Sequence, residues 1–545
     1  MNNNKLKFTG MKSKIKYLIC SALVFMNACD LDVDVLSQIT PENFPQTEED
    51  FIAVSGPIYS NLAAYYSISF FFLQEATADG CVLTANGSSW FDDARYRNHH
   101  LHTWYPDQRF IQEAWRCCFS GISLCNSLLP ILDKAPETTF KPVAIAEIRA
   151  MRAWYYFMAM DLWGDVPLVT EFGAGVESGP RVARKTIFEF IETELKEALP
   201  DLSGETGLAT YGRPHKWMVY ALLAKMYLNA TVYTGEARYA DVVGMCDQVI
   251  AEAAKGGIAL DDDYLKMFYP DNGPQVKDFL FAVPYDSNYS GDVNYPGRYW
   301  LSPYHRDIFG LPFGPSSCMR TWPEFYAKFT IDATDVRQKI WLAGKQYLPD
   351  GTPILIPTTN FGLDNTYSGP DPNAAINWHM EFSPEVTLVS DVSMFDTGND
   401  IMCRHKGYRS VKFYPDLKSA SRAQSNDIPI LRYADVLLMK AEAILRGAAP
   451  TMGHTAVSLV NMVRSRAKAS PFTTINMDGL LDERARELAF EYWRRNDLIR
   501  FGKFEDAWGV KTDNDVRKRV LPIPLTELTL NPKMTQNPGY DDIKR

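Results

Sequence analysis

Apolar positions along the chain recur at intervals of three and four wherever the pattern is clearest. Trp115, Phe119, Ile122, Asn126 and Leu129 form one such stripe, and Ile148, Met151, Tyr155, Met158 and Leu162 form the next. That spacing places each set on one face of a helix. Gly164 and Pro167 stop the second helix. The same reasoning predicts helices over 185–199, 214–231 and 236–254, and a buried helical stretch over 50–75. Short connections favour antiparallel helix hairpins. Ala221, Ala224 and Ala230 leave room for neighbouring backbones to approach. No strict 34-residue repeat is present, yet the hairpins are compatible with tetratricopeptide-like stacking.

Two stretches break the period. Residues 76–108 are irregular, and 258–426 are dense in Gly, Pro, Asn, Asp and aromatic residues. The longer stretch holds Trp300, Trp322, Trp341 and Trp378, too apolar for a disordered linker, and reads as structured loops. Helices return over 428–446, 454–468 and 480–501, followed by an extended, turn-rich tail. The expected fold class is therefore mainly α: antiparallel helix hairpins with a large, loop-rich middle, all in one body. The expected divisions are a leader over 1–28, a tether over 29–49, an N-terminal helical region over 50–257, the loop-rich region over 258–426, and a C-terminal helical region with tail over 427–545.

The leader changes the picture of where this chain works. Lys5, Lys7, Lys12, Lys14 and Lys16 precede an apolar run over 18–28, too short to span a bilayer but suited to a secretory signal. Ala28 stands directly before Cys29, as in a bacterial lipobox, so Cys29 is the expected acylation site and membrane attachment is by lipid anchor only. The chain carries 66 acids against 56 bases, and all five charged residues before Cys29 are lysines. An acidic body without a basic stripe excludes nucleic acid as a partner. Seven cysteines remain after Cys20 and Cys29, irregularly spaced and without CxxC, so neither a disulfide framework nor a zinc knuckle is expected.

Catalytic signatures are missing. No HExxH, GxSxG, Walker-type loop or GxGxxG occurs. His99, His100 and His102 are close together, but no acid or cysteine is paired with them by spacing, and ordinary hydrogen bonds are the simpler reading. Asp92–Asp93 and Asp261–Asp262–Asp263 bring carboxylates together without the facing geometry that glycoside hydrolysis requires. No catalytic residue, metal ligand or cofactor is expected.

Four long motifs stand at the carboxyl end: DIPILRYADVLLMKAEAILRG (427–447), NMVRSRA (461–467), LLDERARELAFEYWRRNDLIRFGKF (480–504) and LPIPLTELTLNPKMTQNPGY (521–540). They resemble motifs of the SusD/RagB family, the outer-membrane nutrient-uptake lipoproteins of Bacteroidetes. Nearer the amino end stand WRCCFSGISLCNSLLP (115–130), EIRAMRAWYYFMAMDLWGDVPLVTE (147–171) and GRPHKWMVYALLAKMYL (212–228). The resemblance spans the whole mature chain. In EYWRRND, Tyr492 stands where the family more usually has Gly. Without the family, Glu483, Glu487 and Glu491 and the nearby arginines read as buried ion networks joining helices.

The resemblance implies a cell-surface outer-membrane protein that binds oligosaccharide or polysaccharide and delivers it to a SusC-like TonB-dependent transporter. Binding of a non-glycan nutrient such as peptide, and a lipid-anchored glycoside hydrolase, are the alternatives. A sugar ring pairs an apolar face with a hydroxyl rim, which suits loop aromatics beside Asn, Asp or Arg. The candidate ligand-binding residues are Trp90, Trp104, Tyr289, Tyr299, Trp300, Tyr304 and Trp378.

Overall fold

The computed structural model describes residues 44–540, apart from Ser88, 174–178, 290–293, Tyr295, 364–368 and Ser390. The expected leader, Cys29 and most of the tether lie outside the described residues. Among the described residues, ten of the helices carry the body. In the N-terminal half these are α1 (Glu48–Tyr65), α2 (Arg109–Lys134), α3 (Phe140–Trp163), α4 (Arg184–Ala198), α5 (Lys216–Leu228) and α6 (Tyr239–Ala253). In the C-terminal half they are α7 (Tyr433–Leu445), α8 (Ala456–Arg466), α9 (Met477–Leu488) and α10 (Arg494–Arg500).

Local chemistry sets the helix ends. Thr47 Oγ1 accepts the Asp50 N–H at 3.2 Å while Asp50 accepts the Thr47 N–H at 3.0 Å, closing a capping box at the start of α1. Gly164, at φ +74°, ends α3. Gly121 in α2 lies against the Tyr155 ring of α3, where a Cβ would sit 2.3 Å from the ring. The Tyr155 hydroxyl donates to the Ile58 carbonyl of α1. Three helices are thereby locked by one glycine and one tyrosine.

Successive helices pack side by side from α1 to α4 and from α5 to α6, and α6 then packs on α7, which packs on α8 and α9. The result resembles a helical-repeat arrangement. A shared core runs from Phe51 to Tyr540, and Cys117, Cys118, Cys125 and Ala441 are buried in it. The two helical ends of the chain form one body.

Charge reinforces this union. Lys225 of α5 pairs with Asp435 of α7, which also accepts from Arg484 of α9 at 2.8 Å. Arg484 reaches Asp497 of α10 at 2.8 Å, and Arg500 joins Asp497 to Glu442 of α7, both at 2.7 Å. A second network centres on Glu487, which meets Arg432 at 2.9 Å, Arg337 at 3.2 Å and Arg466. Burial raises the Glu487 carboxyl pKa, but Arg466, Arg432 and Arg337 outweigh burial and hold it well below the usual range. The expected Arg–Glu networks are therefore present, and they bridge helices.

The expected single helix over 480–501 is two helices. Phe490 and Tyr492 adopt φ +61° and +67°, so the chain turns between α9 and α10 without Gly or Pro to announce it. Tyr492 donates its N–H to Glu75 at 2.7 Å, and its ring packs on Tyr66 and Phe71. The stretch 76–108, irregular in its sequence pattern, also holds a helix, Arg95–Leu101.

The middle region is irregular, and its described residues form short helices and several short strands. Six of these are β1 (Val82–Leu83), β2 (Phe279–Val283), β3 (Met319–Arg320), β4 (Leu355–Thr359), β5 (Ala375–His379) and β6 (Ile428–Arg432). They pair antiparallel as β1–β3, β2–β6 and β4–β5. β2–β6 ties the middle to α7, and β1–β3 draws two distant loops together. Tyr540 closes the molecule, its hydroxyl donating to the Val520 carbonyl at 2.8 Å.

Candidate functional site

The β1–β3 ladder explains why two loop aromatics meet. β1 leads into the loop bearing Trp90, while the short helix Pro296–Trp300 precedes β3, and Cys318 donates its N–H to the Tyr299 carbonyl. Trp90 and Tyr299 stand edge to face, with ring centroids 5.8 Å apart at 78°. The Arg298 guanidinium lies 5.3 Å from the Trp90 ring and 5.5 Å from the Tyr299 ring. Both aromatic rings are half-buried, so each is supported beneath and open in part to solvent. Such a group offers apolar ring faces beside a multivalent hydrogen-bond donor.

The loop that holds Trp90 is strained. Trp90, Asp92, Asp93 and Ala94 have φ of +66°, +45°, +57° and +59°. Such backbone is costly for side chains with a Cβ and persists only where surroundings enforce it. Here Tyr96 donates its hydroxyl to Asp92 Oδ2 at 3.2 Å and Arg95 Nε donates to the Asp92 carbonyl at 2.9 Å. At the other end of the loop, Gly87 donates its N–H to Asp396 at 2.8 Å. Burial, then Tyr299 and Asp92, push the Tyr96 phenol pKa well up, so the clamp stays protonated.

An open groove of about 520 Å³ continues from this loop along the outer face of helix Arg95–Leu101. Asp93, Arg97, Asn98, Thr103 and Tyr105 line it. Arg97 and Leu101 share that face by their spacing of four, and Asp93 joins them from the strained turn before the helix. A smaller cavity of about 30 Å³ is walled by Tyr299, Trp300, Phe490 and Tyr492.

The other candidates separate. Trp104 is 1% exposed, donates its indole N–H to the Tyr540 hydroxyl and stacks near His102, so it is a core residue. Trp300 is 5% exposed, 4.9 Å from the Phe490 ring, and also belongs to the core. Both are thus buried rather than exposed on loops as the sequence suggested, Trp104 in the core and Trp300 against the small internal cavity. Tyr289 is 68% exposed, and its neighbours Asp292 and Tyr295 lie outside the described residues. Tyr304, 39% exposed, and half-buried Trp378 meet at His405, with ring centroids 6.0 and 5.3 Å away. Trp378 lies on β5, so this second pair stands on the β4–β5 hairpin side of the molecule.

The histidine cluster is buried. His102 bonds the Thr77 carbonyl at 2.9 Å, and His99 meets Gln108 at 3.3 Å. Burial lowers the pKa of His99 and His100 to about 3, leaving both neutral. Asp261 and Asp263 accept backbone N–H bonds of a turn.

A helical body that carries half-open aromatic rings on strained, clamped loops has the form of a ligand-binding protein. The SusD family profile matches residues 395–540, and a profile described as "Starch-binding associating with outer membrane" matches residues 57–228. The starch-binding protein SusD of Bacteroides thetaiotaomicron is 29% identical over 430 residues, 72% of each chain. A SusD superfamily crystal structure from Parabacteroides distasonis superposes with a TM-score of 0.69 at 22% identity, covering 91% of this chain and all of the other. Surface glycan-binding protein A of Bacteroides thetaiotaomicron, in complex with laminarihexaose, superposes with a TM-score of 0.65 at 20% identity, over 90% and 100%.

The chain belongs to the SusD/RagB family. Its members are outer-membrane-associated surface proteins that bind glycan without catalysis and act with TonB-dependent transporters.

Proposed function

We propose that this protein captures oligosaccharide at the Trp90–Tyr299 pair and passes it to a TonB-dependent barrel. The observation that carries this reading is the edge-to-face pair of half-open rings, 5.8 Å apart, with Arg298 beside both. A sugar ring lays its C–H face on an indole while guanidinium and carboxylate groups read the hydroxyl rim. The adjoining groove, with Asp93, Arg97, Asn98 and Tyr105, supplies the same chemistry for further residues of a chain. The starch and laminarihexaose ligands of the related proteins support a glucan as the first class to test.

Tyr304 and Trp378 offer a second, smaller aromatic contact, and exposed Tyr289 a third. Anchoring is by lipid on Cys29 after removal of residues 1–28. Because among the described residues no helix is long and apolar enough to cross a membrane, passage of the ligand requires a channel from another chain. The decisive experiment is a glycan array on the detergent-solubilised full-length protein, repeated with Trp90→Ala. Glycan binding lost in that variant at unchanged unfolding midpoint supports the reading. Undiminished binding refutes the site, and capture of peptides without glycans refutes the ligand class.

A further inference from the structure

The two arms of the Trp90–Tyr299 pair arrive from distant parts of the chain, yet one side chain bonds the supports of both. Arg320 stands on β3, opposite Val82 of β1, and is fully buried. Its Nη2 donates to Asn86 Oδ1 at 2.9 Å and to the Ser317 carbonyl at 3.2 Å. Asn86 lies four residues before Trp90, and its Nδ2 donates to the same Ser317 carbonyl at 3.3 Å. Ser317 in turn belongs to the segment that holds the other arm. The N–H groups of Ser316, Ser317 and Cys318 donate to the carbonyls of Arg298, Leu301 and Tyr299 at 2.8, 3.0 and 3.2 Å.

The other guanidinium nitrogen serves a third segment. Nη1 donates to Thr397 Oγ1 at 3.0 Å and to the carbonyls of Lys406 and Cys403 at 3.2 and 3.5 Å. Thr397 donates its N–H to the Ala85 carbonyl at 3.1 Å, and its hydroxyl lies 3.2 Å from Asn86 Oδ1, so this segment also clasps the Trp90 loop. All five acceptors are neutral oxygens, and the charge of the guanidinium strengthens each bond. A planar fork serves two such sets at once, whereas the compact ammonium of a lysine does not span them. Gly407 packs so closely that a Cβ there would sit 2.9 Å from Arg320 Cβ, which leaves the fork little room to shift.

The strained loop has need of such a brace. Trp90, Asp92, Asp93 and Ala94 keep left-handed backbone only while their surroundings enforce it. The bonds to Asp92 tie the loop to the helix that follows it, and the Gly87 bond ties it to Asp396. The meeting of Asn86, Ser317 and Arg320 ties it to the Tyr299 arm. We propose that Arg320 is a positioning residue of the glycan site: through Asn86 and Ser317 it holds Trp90 and Tyr299 in the edge-to-face geometry that receives the sugar. This role rests on the function proposed above. Arg320 itself is buried beneath the pair and acts through the rings it places, without touching the ligand.

The test uses detergent-solubilised full-length protein with maltohexaose and laminarihexaose as probes. Three quantities are measured: affinity by titration calorimetry, the unfolding midpoint, and the NMR resonance of the Trp90 indole N–H, identified by its loss in Trp90→Ala. The variants are Arg320→Lys, Asn86→Ala and Ala441→Leu, the last an overpacking change in α7 that lowers stability away from the rings. Arg320→Lys and Asn86→Ala should each displace the Trp90 resonance before ligand is added and weaken binding at least about ten-fold. Ala441→Leu should lower the midpoint while resonance and affinity stay native. Should Arg320→Lys fail to fold, Asn86→Ala decides alone. Native affinity or an unmoved Trp90 resonance in the folded variants overturns the positioning role, even where the midpoint falls, and so does equal weakening by Ala441→Leu. Undiminished binding in Trp90→Ala, or no binding by wild type, overturns the proposed function instead, an outcome read from those two proteins without the Arg320 variant.

Discussion

Replacing Glu487 with Gln should unfold much of the molecule's margin of stability. The carboxylate is fully buried and serves Arg432 of β6, Arg466 of α8 and Arg337 at once. Arg432 would keep Asp278 at 2.8 Å and Glu491 at 2.6 Å, and Arg337 would keep Asp335 and Glu483, both at 2.7 Å. Arg466 would retain Asp278 alone, at 3.3 Å. Removing one member of a buried ionic group typically costs about 3–5 kcal/mol, because the remaining charge stays desolvated. The loss should therefore fall in that range, read as a lowered urea midpoint at unchanged slope. Changing Arg466 to Met in the Gln background should recover at least about 1 kcal/mol, since the stranded cation is then gone. Acid gives an independent readout. The folded carboxyl titrates below its unfolded counterpart, so its contribution is complete above the unfolded pKa and is lost as pH falls toward the folded one. Glu487→Gln should flatten that acid limb. A loss below about 1 kcal/mol, or no coupling to Arg466, would refute the account of Glu487 as the hub.

Trp104→Ala should cost about 3–5 kcal/mol of stability, whereas Trp90→Ala should leave the unfolding midpoint near native and weaken glycan binding by more than about 2 kcal/mol; paired calorimetry and denaturation on both variants separate core from platform. Ala441, fully buried in α7, should tolerate Trp poorly, with about 1–3 kcal/mol lost to overpacking in a urea titration. Burial raises the Glu75 carboxyl pKa to about 8 against backbone N–H bonds from Tyr492 and Arg494 that lower it. The folded state thus holds a proton that the unfolded chain releases near 4.5, and stability should fall as pH rises from there toward 8. Glu75→Gln should remove that decline in thermal melts; an equal decline in both proteins would refute it.

The helices were legible because their apolar stripes repeat within a few residues, a scale on which sequence alone is informative. Ion networks were legible for the same reason, through the spacing of Glu483, Glu487 and Glu491. The break between α9 and α10 was not, because Phe490 and Tyr492 adopt left-handed backbone that their side chains disfavour, held by packing on Tyr66 and by Glu75. Trp90 and Trp104 both follow polar loop residues and look alike locally. What separates them is Tyr540, which covers Trp104 from the far end of the chain.

The joining of the two ends also bears on the order of events during synthesis. Lys225 has its carboxylate partner on Asp435, and the Trp163 indole donates to the Pro522 carbonyl at 3.1 Å. Until those later segments emerge, the early helices would have to bury an ammonium without its counter-ion and leave an apolar flank wet. A nascent N-terminal half is thus kept from settling prematurely. Residues translated late in the chain are thus among those that permit closure.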